Sequence, residues 1–262
     1  MHRHSIFSLA LGLIFSLFAT TALSAPPKSE FYELKVYHFK DATQEKSIDQ
    51  FLKDSYLPAL HRAGIAHVGV FKPLANDTAT DKRVYVLIPF QSLDKFAALP
   101  QTLNKDKAFQ NSGQAYLSAA YNQPPYQRME SILMRAFTGM PQMALPQLTS
   151  ATQQRVYELR SYEGPTEKLY ANKVDMFNKG DEVGLFKRLG FNAVFYAEVL
   201  AGSHMPNLMY MTTFENMEER DKHWKAFGED PAWVKLKSMP EYQNNVSHAD
   251  IFMLRPTAYS DI

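Results

Sequence analysis

Val156-Tyr-Glu-Leu-Arg-Ser-Tyr162 restates Phe31-Tyr-Glu-Leu-Lys-Val-Tyr37 at a distance of 125 residues. The echo continues on both sides of the pair. Leu60-His-Arg-Ala-Gly-Ile65 answers to Phe186-Lys-Arg-Leu-Gly-Phe191, and Val84-Tyr-Val-Leu-Ile-Pro-Phe90 answers to Leu208-Met-Tyr-Met-Thr-Thr-Phe214. A period this long is too large for a solenoid and reads as a duplicated domain, each copy with its own sheet and helices.

Each copy reads strand, helix, strand, strand, helix, strand. In the first, Phe31 to Phe39 alternates with β-forming residues, and Ile48, Phe51, Leu52, Tyr56 and Leu60 recur at helical spacing. Pro58 is expected to kink that helix and Gly64 to end it. Residues 66–71 and 83–90 read as strands, 92–99 and 106–120 as helical pieces, and 131–137 as the closing strand. The second copy follows with strands at 154–162, 192–199, 207–214 and 247–254. Its first helix is long or broken, its second spans 216–227, and Asp230-Pro231 caps a short extra turn. The expected organisation is therefore a leader at 1–24, a first domain at 25–137, a linker at 138–152 and a second domain at 153–262. The fold class is α+β: two tandem ferredoxin-like (βαββαβ) repeats. Helices cover one face of each sheet, so the two uncovered faces are expected to pack together as a barrel within one chain.

Residues 1–24 read as a secretory signal: a basic start at His2, Arg3 and His4, an apolar run from Ile6 to Phe18, and small residues at Ala22 and Ser24. A periplasmic or secreted location follows, with no membrane attachment after cleavage. The leader carries one basic residue, Arg3, so the remainder holds 27 basic and 27 acidic residues. That balance, with no basic stripe, speaks against nucleic acid as a partner. Cysteine is absent, so disulfides and lipid attachment through cysteine are excluded, and stability must come from the core. The sequons at Asn76 and Asn245 are read as chance.

Strand alternation sorts the opening strands into two faces. Tyr32, Leu34 and Val36, with Tyr157, Leu159 and Ser161, form the set expected against the helices. Glu33, Lys35 and Tyr37, with Glu158, Arg160 and Tyr162, form the set expected to point between the sheets. Unpaired charges are costly to bury, so an acid, a base and a phenol on an inward face mark either a register-fixing ion pair or a lined cavity. Tyr196, Tyr210 and Asn192 are candidate liners, and Arg135 and Arg255 candidate anion contacts. Glu158 and His223 are the candidate acid–base residues. His204 is read as a hairpin residue or a gate, Trp224 and Trp233 as core, and His67 as a strand histidine with little to recommend it as a haem ligand.

The stretches Tyr157 to Tyr162, Met205-Pro-Asn-Leu-Met-Tyr-Met-Thr-Thr-Phe-Glu-Asn-Met217, His223-Trp-Lys-Ala-Phe227 and Arg255-Pro256 resemble the NIPSNAP family. The likeness runs over 31–262 and is denser in the second copy; the first departs where Trp224 would fall. The resemblance implies the dimeric α+β barrel superfamily, whose members include cofactor-free oxygenases, haem enzymes, isomerases and binding proteins.

Phosphate-loop, dinucleotide, zinc-protease and serine-hydrolase motifs are absent. The histidines at 38, 61, 67, 204, 223 and 248 lack ligand spacing, so neither metal nor cofactor is expected. Three functions stay open. One is a barrel that binds a small polar or aromatic molecule between its sheets. Another is a cofactor-independent oxygenase or isomerase using an acid–base residue in that cavity. The last is a structural or protein-interaction module, with a homodimer as its simplest assembly.

Overall fold

The computed structural model describes residues 27–262. The proposed leader lies outside the described residues, and none of the helices described is long and apolar enough to cross a membrane.

Eight strands run in the order expected. They are β1 (Phe31–Phe39), β2 (Gly69–Pro73), β3 (Lys82–Phe90), β4 (Arg128–Ala136), β5 (Val156–Glu163), β6 (Phe195–Ala201), β7 (Asn207–Phe214) and β8 (His248–Pro256). They close into one barrel in the order β1-β3-β2-β8-β5-β7-β6-β4. Each half supplies four antiparallel neighbours, with β1 between β3 and β4 and β5 between β7 and β8. The halves meet at two seams. Phe71 to Pro73 pairs with Pro256 to Leu254, and Leu133 to Ala136 pairs with β6 across a bulge.

The helices follow from local chemistry repeated in both halves. In the first, α1 (Ala42–Phe51) begins where the Asp41 side chain accepts from the Thr43 and Gln44 amides. It passes through a π-turn (Leu52–Tyr56) into α2 (Leu57–Arg62). Pro58 therefore does not break the run; its missing N–H falls beside the wider turn, which already re-routes the backbone hydrogen bonds. Gly64, at φ 87°, ends it with the Ile65 amide on the Leu60 carbonyl. The second half ends α7 (Glu182–Arg188) in the same way, with Gly190 at φ 74° and the Phe191 amide on Phe186. Ahead of α7, Thr166 caps α6 (Glu167–Asn178). Ser92 and Asn216 cap two equally long helices, α3 (Leu93–Lys105) and α8 (Met217–Glu229). The short helices α4 (Lys107–Ser112), α5 (Gln114–Leu117) and α9 (Pro231–Ser238) complete the outer layer.

The core reverses the expected facing of the strands. Tyr32, Leu34, Val36, Tyr157 and Leu159 point into the barrel and pack there with Phe71, Met134, Phe195, Met211 and Leu254, drawn from both halves. Aromatic contacts span the interior, Tyr32 to Phe195 at 5.3 Å and Phe71 to Tyr157 at 5.0 Å. The space between the sheets is thus filled by side chains. Tyr37 and Tyr162 pack instead in the layers between sheet and helices. The reason is solvation: the closed interior offers neither water nor helix side chains as partners, so the more apolar face of each strand goes inside. The helix layer can supply donors and lets long side chains reach solvent.

Candidate functional site

Glu158, on the helix-facing side of β5, is wholly buried. Its Oε1 accepts from Arg160 Nε at 2.6 Å and Arg220 Nη2 at 3.2 Å; its Oε2 accepts from Arg220 Nε at 2.7 Å and Trp224 Nε1 at 2.8 Å. Arg220 and Trp224 lie one turn apart on α8, so both reach the same sheet residue. The Arg160 guanidinium sits 3.6 Å from the Trp224 ring centroid. It also donates to the Tyr162 hydroxyl at 2.8 Å, which lies 2.9 Å from that of Tyr210. Burial pushes the Tyr210 hydroxyl well above its ordinary range. Burial works against the charge on Arg160, yet the neighbouring Tyr210, Tyr162 and Glu158 raise its pKa overall. Four donors occupy the four acceptor directions of the Glu158 carboxylate, leaving none for a substrate proton. Glu158 holds two arginines in place and is not poised as a base.

Other candidates scatter. His223 is half-buried, its Nδ1 2.7 Å from the Glu219 carbonyl and its ring against Phe191 and Phe214, so it serves helix packing. Trp233 packs on Phe227 at 4.4 Å. Arg135 pairs with Glu198, while Arg255 is exposed and has no ion pair among the described residues. His67 is exposed. Asn192, at φ 47°, accepts the Gln147 amide and pins the inter-half segment. Sequence reading missed Arg220 and the buried Lys173–Glu182 pair at 2.9 Å. The four-residue spacing of Arg220 and Trp224 was a usable signal; the Lys173–Glu182 contact joins two helices and leaves no local trace.

The first half builds the same position differently. Glu33 is also buried, but Lys35 at 3.0 Å and Ser131 at 2.6 Å both engage Oε1, and among the described residues no hydrogen bond reaches Oε2. Phe96 and Pro100 stand on α3 where α8 carries Arg220 and Trp224, counted from the caps Ser92 and Asn216. The phenols of Tyr37 and Tyr56 lie near Glu33, and Tyr126 and Tyr116 pack beyond Tyr37 in turn.

A groove of about 860 Å³ opens in the second half between the segment 139–147 and α7. Phe186, Val183, Ala193 and Tyr196 give it an apolar lining, with Lys187 and Gln142 among its polar groups. Tyr196 is 1% exposed, and its hydroxyl has no hydrogen-bond partner among the described residues. Burial, then the nearby Glu182 charge, raises its pKa far above the ordinary value.

Comparison with known proteins bears on the fold and on the second half. A candidate monooxygenase from Lactobacillus acidophilus NCFM aligns over 87% of this chain and 94% of its own, with a TM-score of 0.56 and 9% identity. A candidate monooxygenase from Fusobacterium nucleatum gives 0.56 over 87% and 93% at 8% identity, and an anthrone oxidase-like protein gives 0.53 over 89% and 94% at 7%. At such identities the likeness shows the fold alone. No curated protein matches the chain. The sequence model of the NIPSNAP family matches residues 157–261. The chain is thus an α+β barrel whose second half matches the NIPSNAP family model over residues 157–261.

Proposed function

We propose that this is an exported, internally duplicated barrel protein that binds a small, largely apolar or aromatic molecule in the outer layer of its second half, not between its sheets. The observation that carries the reading is the groove beside Tyr196: about 860 Å³, mostly apolar, with a buried hydroxyl left unpartnered among the described residues. That combination of size, apolar walls and few polar groups suits a small-molecule site. The Arg160–Glu158–Arg220–Trp224 network stiffens the sheet and helix nearby. Export rests on the sequence pattern of residues 1–24, and duplication on the repeated strand and cap positions.

The test is a thermal-shift and calorimetric titration with 1-naphthol and related two-ring hydroxyaromatics. Wild type is expected to gain thermal stability on binding. Ala193→Trp, which fills the groove, is expected to abolish the gain, and Tyr196→Phe to reduce it several-fold. Equal gains in all three proteins would overturn the groove assignment.

A further inference from the structure

The inner face of the barrel changes character at one rim. Along β5 the inward series Tyr157, Leu159 continues into Ser161 and Glu163. Along β8, Leu254 and Phe252 continue into Asp250 and His248, and along β7, Met211 and Met209 continue into Asn207. Strand register brings these ends together: Glu163 lies opposite Asn207 on one side and His248 on the other, and Ser161 lies opposite Asp250.

The ligand atoms of Glu163, His248 and Asp250 all lie within 4.8 Å of one another. From the β6–β7 loop, His204 brings Nδ1 to 2.8 Å from Glu163 Oε1. Asn207 is 3% exposed; its amide nitrogen donates to Ser161 Oγ at 2.8 Å, while its Oδ1 has no partner among the described residues. A buried carbonyl oxygen left without a donor at this rim is an independent sign that something else completes it.

The equivalent rim of the first half shows what is missing. There His38 lies opposite Arg83 and Arg128, in the places of Glu163, Asn207 and His248. Arg83 reaches Asp81 at 2.6 Å and Arg128 reaches Glu130 at 2.8 Å, and His38 contacts both carboxylates. Two guanidinium groups balance two carboxylates. In the second half no arginine or lysine among the described residues pairs with Glu163 or Asp250; only His204 and His248 face them. That rim keeps two carboxylates but has neither of the guanidinium groups that face the carboxylates of its counterpart.

We propose that the rim formed by Glu163, His248 and Asp250, with His204 and Asn207 at its edge, binds one divalent transition-metal ion of the zinc class. Imidazole nitrogen with carboxylate oxygen is the donor set such ions prefer over magnesium or calcium. The charge of the ion matches the deficit left by the two absent arginines.

The test is calorimetric titration of the full chain with Zn²⁺, and with Co²⁺ followed by visible absorption. One site is expected, with a cobalt spectrum showing mixed nitrogen and oxygen ligands. Glu163→Gln and His248→Ala are each expected to weaken it ten-fold or more. His38→Ala, at the balanced rim, is expected to leave it unchanged, and Mg²⁺ to produce no comparable heat. His248 is exposed, and an unaltered melting curve of its variant without metal shows that folding is intact. No binding by wild type, or wild-type affinity in Glu163→Gln and His248→Ala, would overturn the proposal.

Discussion

Glu33 and Glu158 occupy the same place on equivalent strands, yet one carboxylate is half satisfied and the other is saturated. The difference originates one layer away. α8 presents Arg220 and Trp224 to Glu158, whereas α3 presents Phe96 and Pro100 at the matching turns. The first half compensates with Lys35 and Ser131 from the sheet itself. A repeated strand motif therefore does not make a repeated site; the facing helix decides what the motif becomes.

The comparison can be broken most sharply at Glu158. Glu158→Ala strands two guanidinium groups against the sheet and is expected to cost about 3–5 kcal/mol in urea unfolding. A loss below about 1 kcal/mol would show that the arginines escape to solvent. Trp224→Phe keeps an aromatic surface under Arg160 but removes the indole donor, and an intermediate loss of about 1.5–3 kcal/mol is expected in the same assay. Glu33→Ala is expected to cost only about 1 kcal/mol, since Lys35 can extend to water. A cost equal to that of Glu158→Ala would erase the distinction between the halves.

The smallest effect lies at the join. Glu215, in the place of Gln91 of the first half, accepts the Ser150 amide at 2.7 Å and the Thr149 amide at 2.9 Å. Hydrogen bonds from Ser150, then Thr149, lower its pKa to about 2. A depressed carboxyl pKa stabilises the fold fully above the ordinary value of 4.5, and that contribution is lost as pH falls toward 2. Glu215→Gln is expected to lower the melting temperature modestly above pH 4.5, to flatten the acid limb of the profile between those values, and to converge with wild type near pH 2. An unaltered acid limb would show that the segment 149–150 is held by other contacts.

Much of this was legible in the sequence. The order of strands and helices, the caps at Ser92 and Asp230 and the stop at Gly64 follow from local residue chemistry. The facing of β1 and β5 did not, because alternation assigns two faces without saying which one is enclosed. Tyr32 and Tyr157 look as suited to a helix layer as to a barrel interior; only closure of the sheet, with no water inside, decides. The rim cluster was invisible for a related reason. His204 and His248 are far apart in the chain, and the strand register that brings Glu163 opposite His248 is a property of the folded sheet. Likewise the Tyr196 groove depends on where the segment 139–147 crosses α7, which no periodicity records.

Two double-mutant cycles, Glu158 with Arg220 and Glu33 with Lys35, measured by equilibrium unfolding, test most directly whether the facing helix sets the fate of the repeated carboxylate. A coupling of about 2 kcal/mol or more is expected for the first pair and below about 1 kcal/mol for the second. Equal couplings, or a stronger one at Glu33, would contradict it.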